Sequence, residues 1–143
     1  MSPESLFWIA HVPALVGWAV LLAAPLIGPA SIAIARVAAA VLALGYLALL
    51  LAAPDGLRAL ATDYSLGGIG TLFAHPRLLL LGWVHYLAFD LWVASWEAEE
   101  ARRLSMPHWL AAPCMLLTFM LGPLGLLLFL AARAVRPTRR MAS

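Results

Sequence analysis

The sequence predicts an all-α integral membrane protein built as a four-helix bundle. Three observations carry that reading. Hydrophobic residues make up 64% of the 143 and charged residues 11%, against roughly 45–50% and about 25% in soluble domains. Mean hydropathy is +0.94. A soluble fold of this size keeps too much surface in water to hide so many apolar side chains, so the bilayer is the expected solvent. The third observation is four apolar runs, at about 6–23, 32–53, 78–96 and 108–132, in a single domain spanning 1–143. Each is close to or beyond the roughly 20 residues that cross a bilayer. Together these exclude a soluble enzyme, a secreted disulfide scaffold and a disordered chain. They also argue against a nucleic-acid partner. The single cysteine, Cys114, cannot form an internal disulfide.

The first run has no positively charged flank ahead of it, only Glu4 and the N-terminus, which argues against a cleaved signal peptide. Pro25, Gly28 and Pro29 make a tight connection to the second run, where Arg36 is expected to snorkel to the interface. The break from Pro54 to Pro76 carries Leu57, Leu60, Leu66, Ile69, Leu72 and Phe73. It reads equally as a segment lying on the membrane surface and as a solvated loop. The third run ends in a polar connection, Glu97 to Ser105. The fourth opens at Pro107, where proline suits a helix start, and is long enough to tilt or bend. Gly122, Pro123 and Gly125 mark the expected bend.

All nine basic residues are arginine. Four spans place both termini on one side, with Arg58, Arg77, Arg133, Arg136, Arg139 and Arg140, against Arg36, Arg102 and Arg103 on the other. The excess of positive charge in cytoplasmic loops then puts both termini in the cytoplasm. Residues 133–143 read as a basic tail drawn to anionic lipid. A bacterial inner membrane is the expected location.

An ionisable residue inside a span is a functional hypothesis by default. His11, His85 and Asp90 are the candidates. His11 and His85 lie at roughly equal depth, about 8–10 Å from one face, so they could meet across a helix contact. Thr118 and Cys114 reach a depth similar to that of Asp90. At 100° per residue Trp83, Asp90 and Glu97 share one stripe of the third helix, with Tyr86 beside it. His85, Phe89, Trp92 and Trp96 form a second stripe roughly 140° from Asp90. These aromatic flanks could line a slot for a flat or elongated apolar ligand. Each candidate also has a structural reading: a histidine bonded to a backbone carbonyl, or a neutral Asp90 bonded to Tyr86 or Thr118. Trp8, Trp18, Trp83, Trp96 and Trp109 fit an aromatic belt. No zinc, di-iron or phosphate-loop spacing is present, and no metal site is expected.

The stretch Gly82-Trp83-Val84-His85-Tyr86-Leu87-Ala88-Phe89-Asp90-Leu91 is specific. So are the pieces that follow it: Trp96, Pro107-His108, Pro113-Cys114, Leu117-Thr118-Phe119 and Gly122-Pro123-Leu124-Gly125. With the opening Leu6-Phe7-Trp8-Ile9-Ala10, they resemble the abscisic-acid-deficient-four family of small four-span membrane proteins. The plant member of that family is needed to form neoxanthin from violaxanthin. The chain departs from the pattern at His75, where an acidic helix cap is expected, and at Ala94-Ser95, where a glycine and a basic residue are expected. The second departure removes an interior ion-pair partner for Asp90 or Glu97.

The resemblance implies a carotenoid or other apolar polyene as ligand, membrane lipid around it, and no cofactor. Opening an epoxide beside a polyene and shifting a double bond needs an acid on the epoxide oxygen and a base for a carbon-bound proton. A buried, protonated Asp90 can be the acid and His85 or His11 the base. Trp83, Tyr86, Phe89, Trp92, Cys114 and Thr118 are the expected ligand-binding residues. Three readings follow: a carotenoid isomerase, a non-catalytic helper or pigment-carrying subunit, and a haem or quinone subunit using His11 and His85. Four tilted spans leave little room to enclose a long polyene, which is compatible with a homodimer.

Overall fold

The computed structural model describes residues 1–54, 58, 62, 63 and 65–135. Among these the chain forms seven helices: α1 (Pro3–Leu22), α2 (Ala24–Ile27), α3 (Ala30–Leu51), α4 (Leu66–Phe73), α5 (Pro76–Arg103), α6 (His108–Leu121) and α7 (Pro123–Ala134). Three of them, α1, α3 and α5, are long and apolar enough to cross a membrane.

Local chemistry sets the ends. The Ser2 hydroxyl accepts from the Ser5 N–H at 3.1 Å, capping α1. Gly28, at φ 75°, lets the chain turn from the one-turn helix α2 into α3. Ser65 caps α4 by accepting from the Gly68 N–H at 3.0 Å. The neighbouring Asp63 is held below the usual carboxylate range by hydrogen bonds from Ser65. The phenyl ring of Phe73 lies against Gly82 of α5, so α4 flanks the start of that helix. Leu57 and Leu60 of the expected surface segment lie outside the described residues.

The core centres on a three-helix junction, extended by Ala111, Cys114 and Met115 of α6 and Phe129 of α7. Ala14, Gly17, Trp18 and Leu21 of α1 meet Ala35, Ala38, Ala39 and Leu42 of α3, and Val84, Leu87, Ala88, Leu91 and Ala94 of α5. Alanine and glycine let the backbones approach closely, which is how helices associate where lipid offers no hydrophobic drive. Leu91 rests directly on Gly17.

Two expectations need correction here. The third helix does not stop at 96: α5 runs on to Arg103, through the stretch read as a polar connection. Its charges are satisfied locally, Glu97 by the Thr118 hydroxyl and Glu100 by Arg103 and Arg133, so the helix need not end. The second concerns the run at 108–132, which is not one bent span. Gly122, at φ 46° and ψ −97°, adopts a conformation side chains resist, and Pro123 offers no N–H to continue the ladder. The chain reverses there. Gly125 packs on the Thr118 backbone so closely that a Cβ would overlap it. Phe129 meets Trp96 edge-on, with ring centroids 5.6 Å apart. Arg133 Nε lies 3.0 Å from Glu100 Oε1. A helix continuing along α6 would have carried Phe129 and Arg133 toward the start of α5 instead. The fold is therefore three long helices and a half-length hairpin, α6–α7, whose tip sits beside Asp90 at mid-height of α5. Arg133 ends at the opposite end of the molecule from Pro3, so the described chain does not bring its two ends to one side. Arg136, Arg139 and Arg140 of the expected tail lie outside the described residues.

Candidate functional site

The hairpin tip gathers buried polar groups from α5 and α6. Pro123 removes the N–H that would have bonded the Phe119 carbonyl. The Tyr86 hydroxyl replaces it, donating to Phe119 O at 2.7 Å. Asp90, one turn further along α5, reaches the tip itself: a Cβ on Gly122 would sit 3.3 Å from Asp90 Oδ1. The other oxygen, Oδ2, is out of solvent contact and has no hydrogen-bond partner. Two turns beyond Asp90 on the same stripe lies Glu97, 0% exposed. The Thr118 hydroxyl spans its two oxygens at 2.9 and 3.1 Å. Cys114, one turn from Thr118 on α6, is buried and donates to the Leu110 carbonyl.

On the other side of the tip the hairpin is missing, because α6 and α7 reach only half the height of α5. That leaves the lower α1–α5 face open. A cleft of about 530 Å³ lies there, lined by Pro3, Glu4 and Phe7 of α1 and by Pro76, Leu79, Leu80 and Trp83 of α5. Its aromatic wall runs toward Asp90: Phe7 lies 5.9 Å from Trp83, and Trp83 lies 5.5 Å from Tyr86. His11 is fixed against this wall. One ring nitrogen is 2.7 Å from the Phe7 carbonyl, the other accepts from Trp83 Nε1 at 3.4 Å, and its ring stacks on Trp83. With the nitrogen facing the Phe7 carbonyl carrying the proton, both nitrogens of a neutral imidazole are in use.

The structure therefore divides the residues read from the sequence. Asp90, Trp83, Tyr86, Thr118 and, nearby, Cys114 cluster around the hairpin, with His11 beside Trp83. His85, Phe89 and Trp92 do not join them. They face α3, where His85 lies 5.6 Å from Tyr46 and Arg36 sits over Trp92. His11 and His85 do not meet either: equal depth is not equal azimuth, since His11 on α1 faces Trp83 of α5 while His85 on α5 faces Tyr46 of α3. Two histidines on different faces cannot ligate one haem iron. Among the described residues, no group of three or more His, Cys, Asp and Glu is placed to hold a metal ion. Glu97 joins this cluster through Thr118, although the sequence reading gives it a place on the stripe and no role in the site. That periodicity was the available signal.

A second space lies apart from this cluster. It is a groove of about 720 Å³ between α1 and α3, lined by side chains such as Ile9, Val16, Val37 and Leu49, with Val84 at its floor. It shares no residue with the Asp90 site.

No curated protein and no solved structure gives a match. The family profile described as ABA4-like, ABA DEFICIENT 4-like, matches residues 5–129, which is most of the chain and runs from the first turn of α1 through the tip into α7. The chain belongs to the ABA DEFICIENT 4-like family.

Proposed function

We propose that this protein binds an epoxidised carotenoid in the membrane and isomerises it through Asp90. The observation that carries the reading is the Asp90 carboxyl at the tip of the broken helix, with one oxygen shielded and unpartnered. A carboxylic acid held at that point can carry a proton to a substrate oxygen placed beside it. It can donate its proton to an epoxide oxygen as the carbon–oxygen bond opens. The positive charge left on the polyene acidifies the neighbouring carbon-bound hydrogen. The Asp90 carboxylate then takes that proton, and the freed electron pair forms the new double bond. One group acts first as acid and then as base, no proton is gained or lost overall, and no redox partner enters.

This reading also removes the histidines from the chemistry. His11 lies against Trp83, which is seven residues and so about 10 Å along the helix from Asp90. One end group cannot touch both. Trp83, Tyr86 and Phe7 would flank the substrate's polyene near the ring and favour a developing cation by facing it with their π systems. Their place is the cleft below the tip.

The test is incubation of the purified protein in mild detergent with a carotenoid 5,6-epoxide, followed by chromatographic separation of the isomers. Wild type is expected to convert it. Asp90→Asn is expected to lose activity by about 10²–10⁴-fold, the contribution of a positioned acid–base group. Undiminished turnover by Asp90→Asn would remove the mechanism.

The groove between α1 and α3 favours a second reading, a pigment carrier without turnover. Its lining includes no acid or base. A carotenoid that co-purifies unchanged, and is lost from Val37→Trp but not from Asp90→Asn, would support it.

A further inference from the structure

We propose that the α3–α5 face carrying Tyr46, His85, Phe89 and Trp92 is the docking surface for a second copy of this chain, paired about a twofold axis along the membrane normal. The face is built for contact. Phe89 is 60% exposed and Trp92 51%. The His85 ring is exposed as well, stacked on Phe89 at 4.5 Å and tilted against Tyr46 at 5.6 Å. Among the described residues neither a His85 ring nitrogen nor the Tyr46 hydroxyl has a hydrogen-bond partner.

Depth decides what the partner is. His85 is nine residues beyond Pro76 in a helix of 28 residues, so it lies roughly 7 Å from the helix midpoint. Hydrocarbon surrounds that level, and neither water nor a phospholipid headgroup reaches it. A polar group left there needs a polar partner at the same depth. A twofold axis along the membrane normal supplies one, because each residue then faces its own equivalents at its own level. The Tyr46 hydroxyl would donate to a ring nitrogen of His85 of the partner subunit, and the exchange is reciprocal.

The upper edge of the face has matching charge. Arg36 pairs with Glu99 at 2.5 Å while its guanidinium lies over Trp92. One cation and one anion at a single level make a self-complementary edge, which an isologous contact requires. Leu47 of α3, next to Tyr46, continues the exposed surface. The Asp90 site faces away from this surface, so docking leaves it open.

The experiment uses the full chain in native membranes. In a Cys114→Ser background, Phe89→Cys is compared with Val12→Cys, which lies on α1 beside the other groove. Mild oxidation is expected to give a covalent dimer from Phe89→Cys and not from Val12→Cys. In lipid nanodiscs, native mass measurement is expected to show a dimer, with His85→Leu lowering its equilibrium constant at least tenfold and His85→Gln, which can still hydrogen-bond, restoring most of it. A monomer at all concentrations, cross-links through Val12→Cys instead, or a monomer holding a neutral hydroxylated lipid released by His85→Leu would each overturn the proposal.

Discussion

At the scale of single residues, a proline decides where a tyrosine must go. Pro123 leaves the Phe119 carbonyl without its helical donor, and Tyr86 supplies one from a neighbouring helix. Tyr86→Phe is expected to destabilise the protein by about 1–3 kcal/mol, the cost of an orphaned carbonyl. Thermal unfolding in detergent measures it, and a variant as stable as wild type would show that the bond is incidental. Thr118 and Glu97 form the second such pair. Thr118→Val removes the donor that spans both Glu97 oxygens, and a loss of about 1–3 kcal/mol is expected. Glu97→Gln should lose far less, since an amide can still accept from the hydroxyl. Asp90 was legible in the sequence because a lone acid in an apolar run has no other excuse. Glu97 was not. It stands among Glu99, Glu100 and Arg102, where local composition says water, and only the arrival of α6 from twenty residues away buries it.

At the scale of elements, the hairpin is the departure from expectation. The break at Gly122-Pro123 could be read from the residues, because a left-handed glycine followed by proline interrupts any helix. Its angle could not. A bend and a reversal share the same local signal. The reversal is held by pairs remote in sequence, Phe129 with Trp96 and Arg133 with Glu100. It follows that a reporter fused after residue 135 should report the membrane face opposite to one fused before Pro3. Reporters on one face would restore the four-span reading. Gly125→Val is expected to push α7 off the Thr118 backbone and destabilise by about 1–3 kcal/mol or more, as overpacking does. A Gly125→Val protein with unchanged thermal stability would mean that the two helices do not pack as described.

At the scale of the whole molecule, three long helices and a half-length hairpin divide the protein into two faces of different chemistry. One carries Asp90, at the hairpin tip above the α1–α5 cleft. The other carries His85 and Tyr46. The sequence already separated them, since His85 and Asp90 differ by about 140° around α5. What it could not show was which neighbour each faces, because that depends on how α1, α3 and α6 close around α5. The reversal also redistributes charge. Among the described residues, Arg36, Arg102, Arg103 and Arg133 lie toward one end and Arg58 and Arg77 toward the other. Positive-inside bias then predicts that the end holding Arg102 and Arg103 is cytoplasmic and the N-terminus is not. The same fusion experiment tests this through the absolute face each reporter marks.

The central claim is that one carboxyl at the hairpin tip performs the isomerisation. Its most direct test is single-turnover conversion of a bound carotenoid 5,6-epoxide by wild type and Asp90→Asn, each loaded to the same measured pigment content. The account predicts equal binding, with conversion by wild type at least a hundredfold faster than by the variant. Equal rates at equal loading would contradict it and leave Asp90 a packing group at the tip.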